Sequence, residues 1–390
     1  MSACALLVVG GGPAGHSAAV AYRAAGGTGP VILLAQEGRP PYERPPLSKE
    51  LLRGELQPDA LGLAEHAAFY EEREITIRHD SALSLHPEDR CVRLSGGAGE
   101  IAYERCVLAT GAQPVRPPIP GAGNDGVHLL RSVTDAMALR DAAKPGTRVL
   151  VLGSGFIGCE AAASLRMRGC AVTLVSQEPA PQAARLGDEV AARLAGWLAD
   201  AGVDAHYERE LTAIDADLTA QLSDGTSVAA DVVLLAGGVK PDTVLAGDAG
   251  LALAGGGEVV ADAAMRTDVA RVLACGDCCR AMHATAGRPL HVEHWGDALA
   301  QGEVAGFTAA GREARWETVP GFWSTIGTRT LKHAAWGDGH ATARVVDHGD
   351  GAFTAWYADA AGACVGVLTH DRDPDYEAGQ RLIAQGALVA

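Results

Sequence analysis

Short, unbroken apolar runs alternate with alanine-rich stretches along the first half of this chain. Ala5 to Val9 is one such run and Val31 to Ala35 another. Runs this short, bounded by glycine or polar residues, read as strands buried on both faces. Between them, Pro13 to Ala25 is rich in alanine and predicts a helix. The order recurs further on: Arg148 to Leu152 predicts a strand, Phe156 to Gly169 a helix, and Ala171 to Val175 the next strand. Two strand–helix–strand units imply parallel sheets and an α/β class. The tail has a different rhythm. Phe353, Ala355 and Tyr357, then Val365 and Val367, alternate as in half-buried strands, and Tyr376 to Gln385 predicts a closing helix.

Glycine spacing sharpens the two units. With 49 glycines in 390 residues, chance alone supplies about 0.8 matches to G-x-G-x-x-G, so flanking context must decide. Gly10, Gly12 and Gly15 lie between a strand and a helix, and Glu37 follows the second strand at the distance where an acid accepts from a ribose hydroxyl. Gly153, Gly155 and Gly158 have the same context. In both, the glycines permit a tight turn and let a pyrophosphate rest on the helix N-terminus. A third match, Gly121, Gly123 and Gly126, follows Pro117, Pro118 and Pro120 and precedes apolar residues with no helix, so it reads as a linker turn. Two believable units imply two dinucleotides in one protein, and their shared chemistry is electron transfer between nicotinamide and flavin.

Composition narrows the setting. A net charge of -16 argues against nucleic acid and against anionic membranes. No apolar stretch approaches the roughly 20 residues of a membrane helix, and the N-terminal run has no basic residue before it. A cytoplasmic protein is expected. The nine cysteines are scattered and do not form a disulfide framework. Cys275 and Cys278 have C-x-x-C spacing but are not expected to form a redox pair, and His291 and His294 have H-x-x-H spacing without a matching acidic or sulfur set, so no metal is expected.

Further segments now fall into place: RPPYERPPLSK (39–49), LATGA (108–112), LRSVTDA (130–136), LLAGGVKPD (234–242), LACGDC (273–278) and EHWGDA (293–298). In this order they resemble the FAD-dependent pyridine nucleotide-disulfide oxidoreductases, specifically the ferredoxin reductases coupled to oxygenases and cytochromes P450 and related to apoptosis-inducing factor. The resemblance covers nearly the whole chain. It implies two Rossmann-like, glutathione-reductase-like domains plus a small C-terminal α+β domain. The FAD domain would span 1–112 and 241–318, the NAD(P) domain 113–240, and the C-terminal domain 319–390. Pro114 to Pro120 and Pro241 suit the seams.

The resemblance also assigns roles. For FAD it implies Gly10, Gly12, Pro13, Ala14, Gly15, Glu37, Arg44, Ala82, Thr110, Gly111, Arg131, Gly276, Asp277, Glu293, His294 and Trp295. Trp323 would be brought to the flavin from the C-terminal domain. For the nicotinamide nucleotide it implies Gly153, Ser154, Gly155, Phe156, Ile157, Gly158, Ser176, Gly237 and Gly238. Lys49 would stand beside the flavin and stabilise charge on its reduced form. Glu160 would pair with Lys49 at the junction of the two cofactors, and these two are the expected catalytic residues. Simpler readings compete: Asp277 as a helix cap, Glu160 as a first-turn acid favoured by the helix dipole, and Trp295 and Trp323 as core residues.

Ser176 stands where NADH-using members place an acid. Without an arginine before Arg185, and with Glu178 nearby to repel a 2′-phosphate, NADH is expected, with NADPH left open. No cysteine lies between Cys4 and Cys91, which removes the redox cysteine of the disulfide reductases. The expected reaction is hydride transfer from nicotinamide to flavin, then single electrons to a ferredoxin-type iron–sulfur protein. Arg312, Arg315, Arg329 and Lys332 are candidates for a basic docking patch. The alternatives are reduction of a quinone or another small molecule, and a flavin redox sensor with low turnover. The oligomeric state is left open by the sequence.

Overall fold

A computed structural model describes residues 3–389. The chain gathers into two compact units. The first comprises residues up to Glu43, Gly62–Gln113 and Lys240–Phe322; the second comprises Arg44–Leu61, Pro114–Val239 and everything from Trp323 on. The elements that position the functional residues are, in chain order, β1 (Cys4–Val9), α1 (Pro13–Ala24), β2 (Val31–Leu34), β3 (Ile75–Arg78), β4 (Glu100–Leu108), β5 (Arg148–Leu152), α2 (Phe156–Met167), β6 (Ala171–Val175), β7 (Asp204–His206), β8 (Val232–Leu235), β9 (Val272–Ala274), α3 (Trp295–Ala309), β10 (Gly321–Ile326) and α4 (Asp373–Gln385).

The first unit is built on a parallel sheet ordered β3-β2-β1-β4-β9, with the hairpin Ala82–His86 and Cys91–Leu94 continuing antiparallel from β4. Every residue of β1 is buried, as expected of a strand covered on both faces. Helix α1 packs on α3, and glycine makes the approach close. A Cβ at Gly302 would lie 2.2 Å from the Ala14 carbonyl oxygen, and one at Gly306 2.4 Å from that of Ala18.

The second unit repeats the theme as a parallel sheet ordered β7-β6-β5-β8, extended by Val127–His128. The rejected glycine triplet is the turn that leads into Val127–His128, with no helix after it. The unit also holds a five-stranded antiparallel sheet, from β10 through Arg329–Ala335, Cys364–His370, Ala352–Ala358 and Thr342–Gly349. Helix α4 packs on it. The predicted final helix is present but starts three residues earlier, because Pro374 sits at its first turn, where a missing N–H costs nothing.

The excursion Arg44–Leu61 clusters with the second unit although first-unit sequence flanks it. Its short helix Glu50–Arg53 packs on Val133–Ala142 and on α2, with Leu51 and Leu52 fully buried. Arg168 clamps it by donating to the Arg53 carbonyl at 3.0 Å.

Candidate functional site

The first glycine loop joins β1 to α1. Gly10 has φ +126°, and a Cβ there would lie 2.0 Å from the Ala109 carbonyl oxygen. A Cβ at Gly15 would lie 1.9 Å from the Gly10 carbonyl oxygen, so the loop closes on its own backbone. Gly12 differs: nothing stands within 4 Å of where its Cβ would be. Gly12 is also the N-cap of α1 and supplies no side-chain cap, while Pro13 follows at N1 and Ala14 is buried. The helix therefore begins with open space and unclaimed N–H dipoles, the arrangement that accepts a phosphate. Glu37 is exposed and accepts from the Tyr42 hydroxyl.

The carboxyl ends of β4 and β9 add to this edge. Thr110 donates its hydroxyl to the Asp242 carbonyl at 2.5 Å, and the Asp242 N–H donates to the Gly111 carbonyl at 2.9 Å. The chain thus re-enters the first unit pinned to the strand end it left. Gly276 has φ +77° and donates its N–H to Gln301 Oε1 at 2.9 Å. Gln301 is fully buried, and among the described residues its Nε2 has no hydrogen-bond partner. Asp277 is buried, and its carbonyl accepts from His291 Nε2 at 2.9 Å. Glu293 is exposed, His294 is the N-cap of α3 and lies 3.4 Å from Asp297, and Trp295 opens the helix half-buried. Ala82 begins the hairpin strand after β3.

The second loop joins β5 to α2 in the same way. A Cβ at Gly153 would lie 2.5 Å from the Ala236 carbonyl oxygen, and one at Gly158 2.1 Å from that of Gly153. Gly155 is an N-cap without a side-chain cap. Phe156 is half-buried and Ile157 exposed on the first turn, while Gly237 and Gly238 follow β8, both exposed. The residues present in both loops fit dinucleotides.

Glu160 lies one turn into α2 and is 5% exposed, as is Lys49. Lys49 Nζ donates to Glu160 Oε2 at 3.0 Å, and Ser48 donates to the same oxygen at 2.5 Å. Oε1 accepts from the Ser324 hydroxyl at 2.8 Å and the Thr325 N–H at 3.2 Å. Four donors from two distant segments converge on one carboxylate. Trp323, next to Ser324, is 44% exposed. In the same unit Arg44 donates to the Arg131 carbonyl at 2.8 Å, and the Arg131 N–H donates to Asp135 at 3.1 Å, beside the capping box that Ser132 and Asp135 form.

Sequence reasoning missed Ser48, Ser324, Asp242 and Gln301. Ser48 adjoins Lys49 and Ser324 adjoins Trp323, so adjacency was the only available signal. All nine cysteines are free and buried; Cys278 donates its thiol to the Cys275 carbonyl at 3.4 Å rather than pairing with Cys275. His291 and His294 face different acids, Glu258 and Asp297. Among the described residues no cluster of three or more His, Cys, Asp or Glu could hold a metal ion. Of the basic candidates, Arg329 pairs with Asp200 and Lys332 with Asp373, each at 2.7 Å, and Arg312 donates to the Ala25 carbonyl. No helix among the described residues is long and apolar enough to cross a membrane.

The family model described as pyridine nucleotide-disulphide oxidoreductase matches residues 5–302. The chain belongs to this family. Within it the chain falls among the ferredoxin reductases. It is 34% identical over 400 residues to the ferredoxin--NAD(+) reductase component of the anthranilate 1,2-dioxygenase system of Burkholderia cepacia, covering 100% of this chain and 96% of the relative. It is 32% identical to a rubredoxin-NAD(+) reductase of Pseudomonas putida, over 84% of this chain and 86% of that one. Two solved structures are similar throughout. The ferredoxin reductase for the CYP199A2 system of Rhodopseudomonas palustris has a TM-score of 0.93 at 29% identity, covering 99% of this chain and 96% of its own. Putidaredoxin reductase in covalent complex with putidaredoxin has a TM-score of 0.91 at 27% identity, covering 98% and 94%. The fold class expected from the sequence holds, and the protein is an oxidoreductase.

Proposed function

We propose that this oxidoreductase carries FAD, oxidises NADH, and delivers single electrons to a ferredoxin-type iron–sulfur protein. The observation that carries the reading is the presence of two dinucleotide cradles in one chain, each with a tight glycine turn and an uncapped helix start. The bound cofactors supply the redox chemistry: nicotinamide gives an electron pair, and flavin releases electrons one at a time.

The chain's own residues bind and orient. Gly10, Gly12, Pro13, Ala14 and Gly15 form the FAD pyrophosphate turn, with Glu37 for the ribose. Ala82, Thr110, Gly111, Gly276, Asp277, Glu293, His294 and Trp295 complete the flavin residues of the first unit. Gly153, Ser154, Gly155, Phe156, Ile157 and Gly158 form the nucleotide turn, with Ser176, Gly237 and Gly238 around it. Lys49 and Glu160 are the catalytic pair. Lys49 offers a fixed positive charge, and Glu160 holds its ammonium in place. Arg44, Arg131 and Trp323 also serve the flavin. We further propose an FAD domain of 1–112 and 241–318, an NAD domain of 113–240, a C-terminal domain of 319–390, and a cytoplasmic protein.

Anaerobic titration of the purified protein with NADH tests this reading. Bleaching of a flavin spectrum by stoichiometric NADH is expected, followed by ferredoxin-dependent reduction of cytochrome c. A protein that cannot be reconstituted with FAD, or a flavin that NADH does not bleach, would overturn it.

A further inference from the structure

Ser176 ends β6, where an acid would receive the adenosine ribose, but its hydroxyl is already engaged. Ser176 is 4% exposed. Its Oγ lies 2.6 Å from Ser154 Oγ, inside the glycine turn, and accepts the Glu178 N–H at 3.2 Å. The loop that follows is pinned from the far side as well. The Arg209 N–H donates to the Ser176 carbonyl at 2.9 Å, and the Glu208 N–H donates to the Glu178 carbonyl at 3.1 Å.

This bracing holds the half-buried Glu178 beside the glycine turn, where its carboxylate accepts from the Ala184 N–H at 3.5 Å. Burial, then Glu160, then Glu178 push the Cys159 thiol in the first turn of α2 upward. Arg209, on the bracing segment, directs its guanidinium to Asp224 and to the Glu208 carbonyl.

We propose that Glu178, two residues beyond the usual position, is the residue that selects NADH over NADPH, with Ser176 and Ser154 acting as its positioning pair. A carboxylate there accepts from a ribose 2′-hydroxyl and repels a 2′-phosphate. The proposal rests on reading the second glycine turn as the nicotinamide-nucleotide site.

Calorimetry on the flavin-loaded protein tests it with ADP-ribose and 2′-phospho-ADP-ribose as probes. The unsubstituted protein is expected to favour ADP-ribose by at least about tenfold, the scale of one close charge repulsion near a protein surface. Glu178→Gln should shrink that ratio by about fivefold or more, through weaker ADP-ribose binding and stronger binding of the 2′-phosphate form. Ser176→Ala, which keeps the charge but removes the side-chain brace of its loop, should move the ratio in the same direction by less. Unchanged ratios in both variants would overturn the assignment. Failure of the unsubstituted protein to bind either probe would instead overturn the nucleotide-site reading.

Discussion

Ser324 and Glu160 are 164 residues apart, yet the serine hydroxyl donates to Glu160 Oε1 at 2.8 Å with both residues buried. Lys49 and Ser48 hold the other oxygen. The carboxylate thereby joins the excursion at 44–61, α2 and the C-terminal sheet of the second unit. With the Thr325 N–H on Oε1 as well, four donors use the accepting capacity of the carboxylate in full.

Removing that anchor should be costly. Glu160→Gln leaves a buried ammonium without a counter-charge and is expected to destabilise the protein by about 3–5 kcal/mol. Ser324→Ala removes one hydrogen bond to a charged acceptor and should cost about 1.5–3 kcal/mol. Urea unfolding of the two variants checks both values. A smaller loss for Glu160→Gln than for Ser324→Ala would contradict the hub arrangement.

Two glycines of the first turn should fail in different ways. Gly10→Ala sets a Cβ 2.0 Å from the Ala109 carbonyl at φ +126°, so the turn itself cannot form. Gly12 has φ -85° and empty space around it. Gly12→Ala should therefore fold with a near-native circular dichroism spectrum but retain little FAD. Full flavin content in Gly12→Ala would show that the pyrophosphate lies elsewhere.

Acid should loosen the first unit through His16, in the helix that follows the glycine turn. Burial, with help from the Arg73 charge, lowers its pKa from 6.5 to about 4. The ring hydrogen-bonds the Tyr70 hydroxyl through Nδ1 at 2.8 Å. The unfolded chain then binds a proton between pH 6.5 and 4 that the folded chain does not. Stability contributed by the neutral ring is intact above about 6.5, falls as pH drops, and levels off below about 4, a loss of about 3 kcal/mol. His16→Gln should flatten this part of the stability–pH curve. An equal slope with and without His16 would assign the acid sensitivity to other groups.

Glu258 gives a second, lower acid step. Burial alone would raise its carboxyl pKa, but hydrogen bonds from Arg280 and its own backbone N–H, with the charges of His291 and Arg280, outweigh this and lower it below 4.5. Its contribution is present above pH 4.5 and is lost as pH falls through the depressed value. Glu258→Gln should remove that step in urea unfolding measured below pH 4.5, and a step that persists would exclude it.

The sequence by itself determined the parts whose physics is local. Apolar runs and helical stretches placed β1, α1, β5 and α2, and glycine spacing marked the two turns between them, because Gly15 and Gly158 pack on Gly10 and Gly153 in the same turn. The expected Lys49–Glu160 pairing came from family resemblance, and neither residue's own surroundings in sequence carry it. Only the tertiary structure decided that 44–61 docks by Leu51 and Leu52 onto the second unit, and that Ser324 returns to the same carboxylate. It alone also decided that Ser154 engages the hydroxyl of Ser176. Buried polar groups find their partners wherever packing brings donors and acceptors together, and over separations of 22 to 164 residues no local pattern records that meeting.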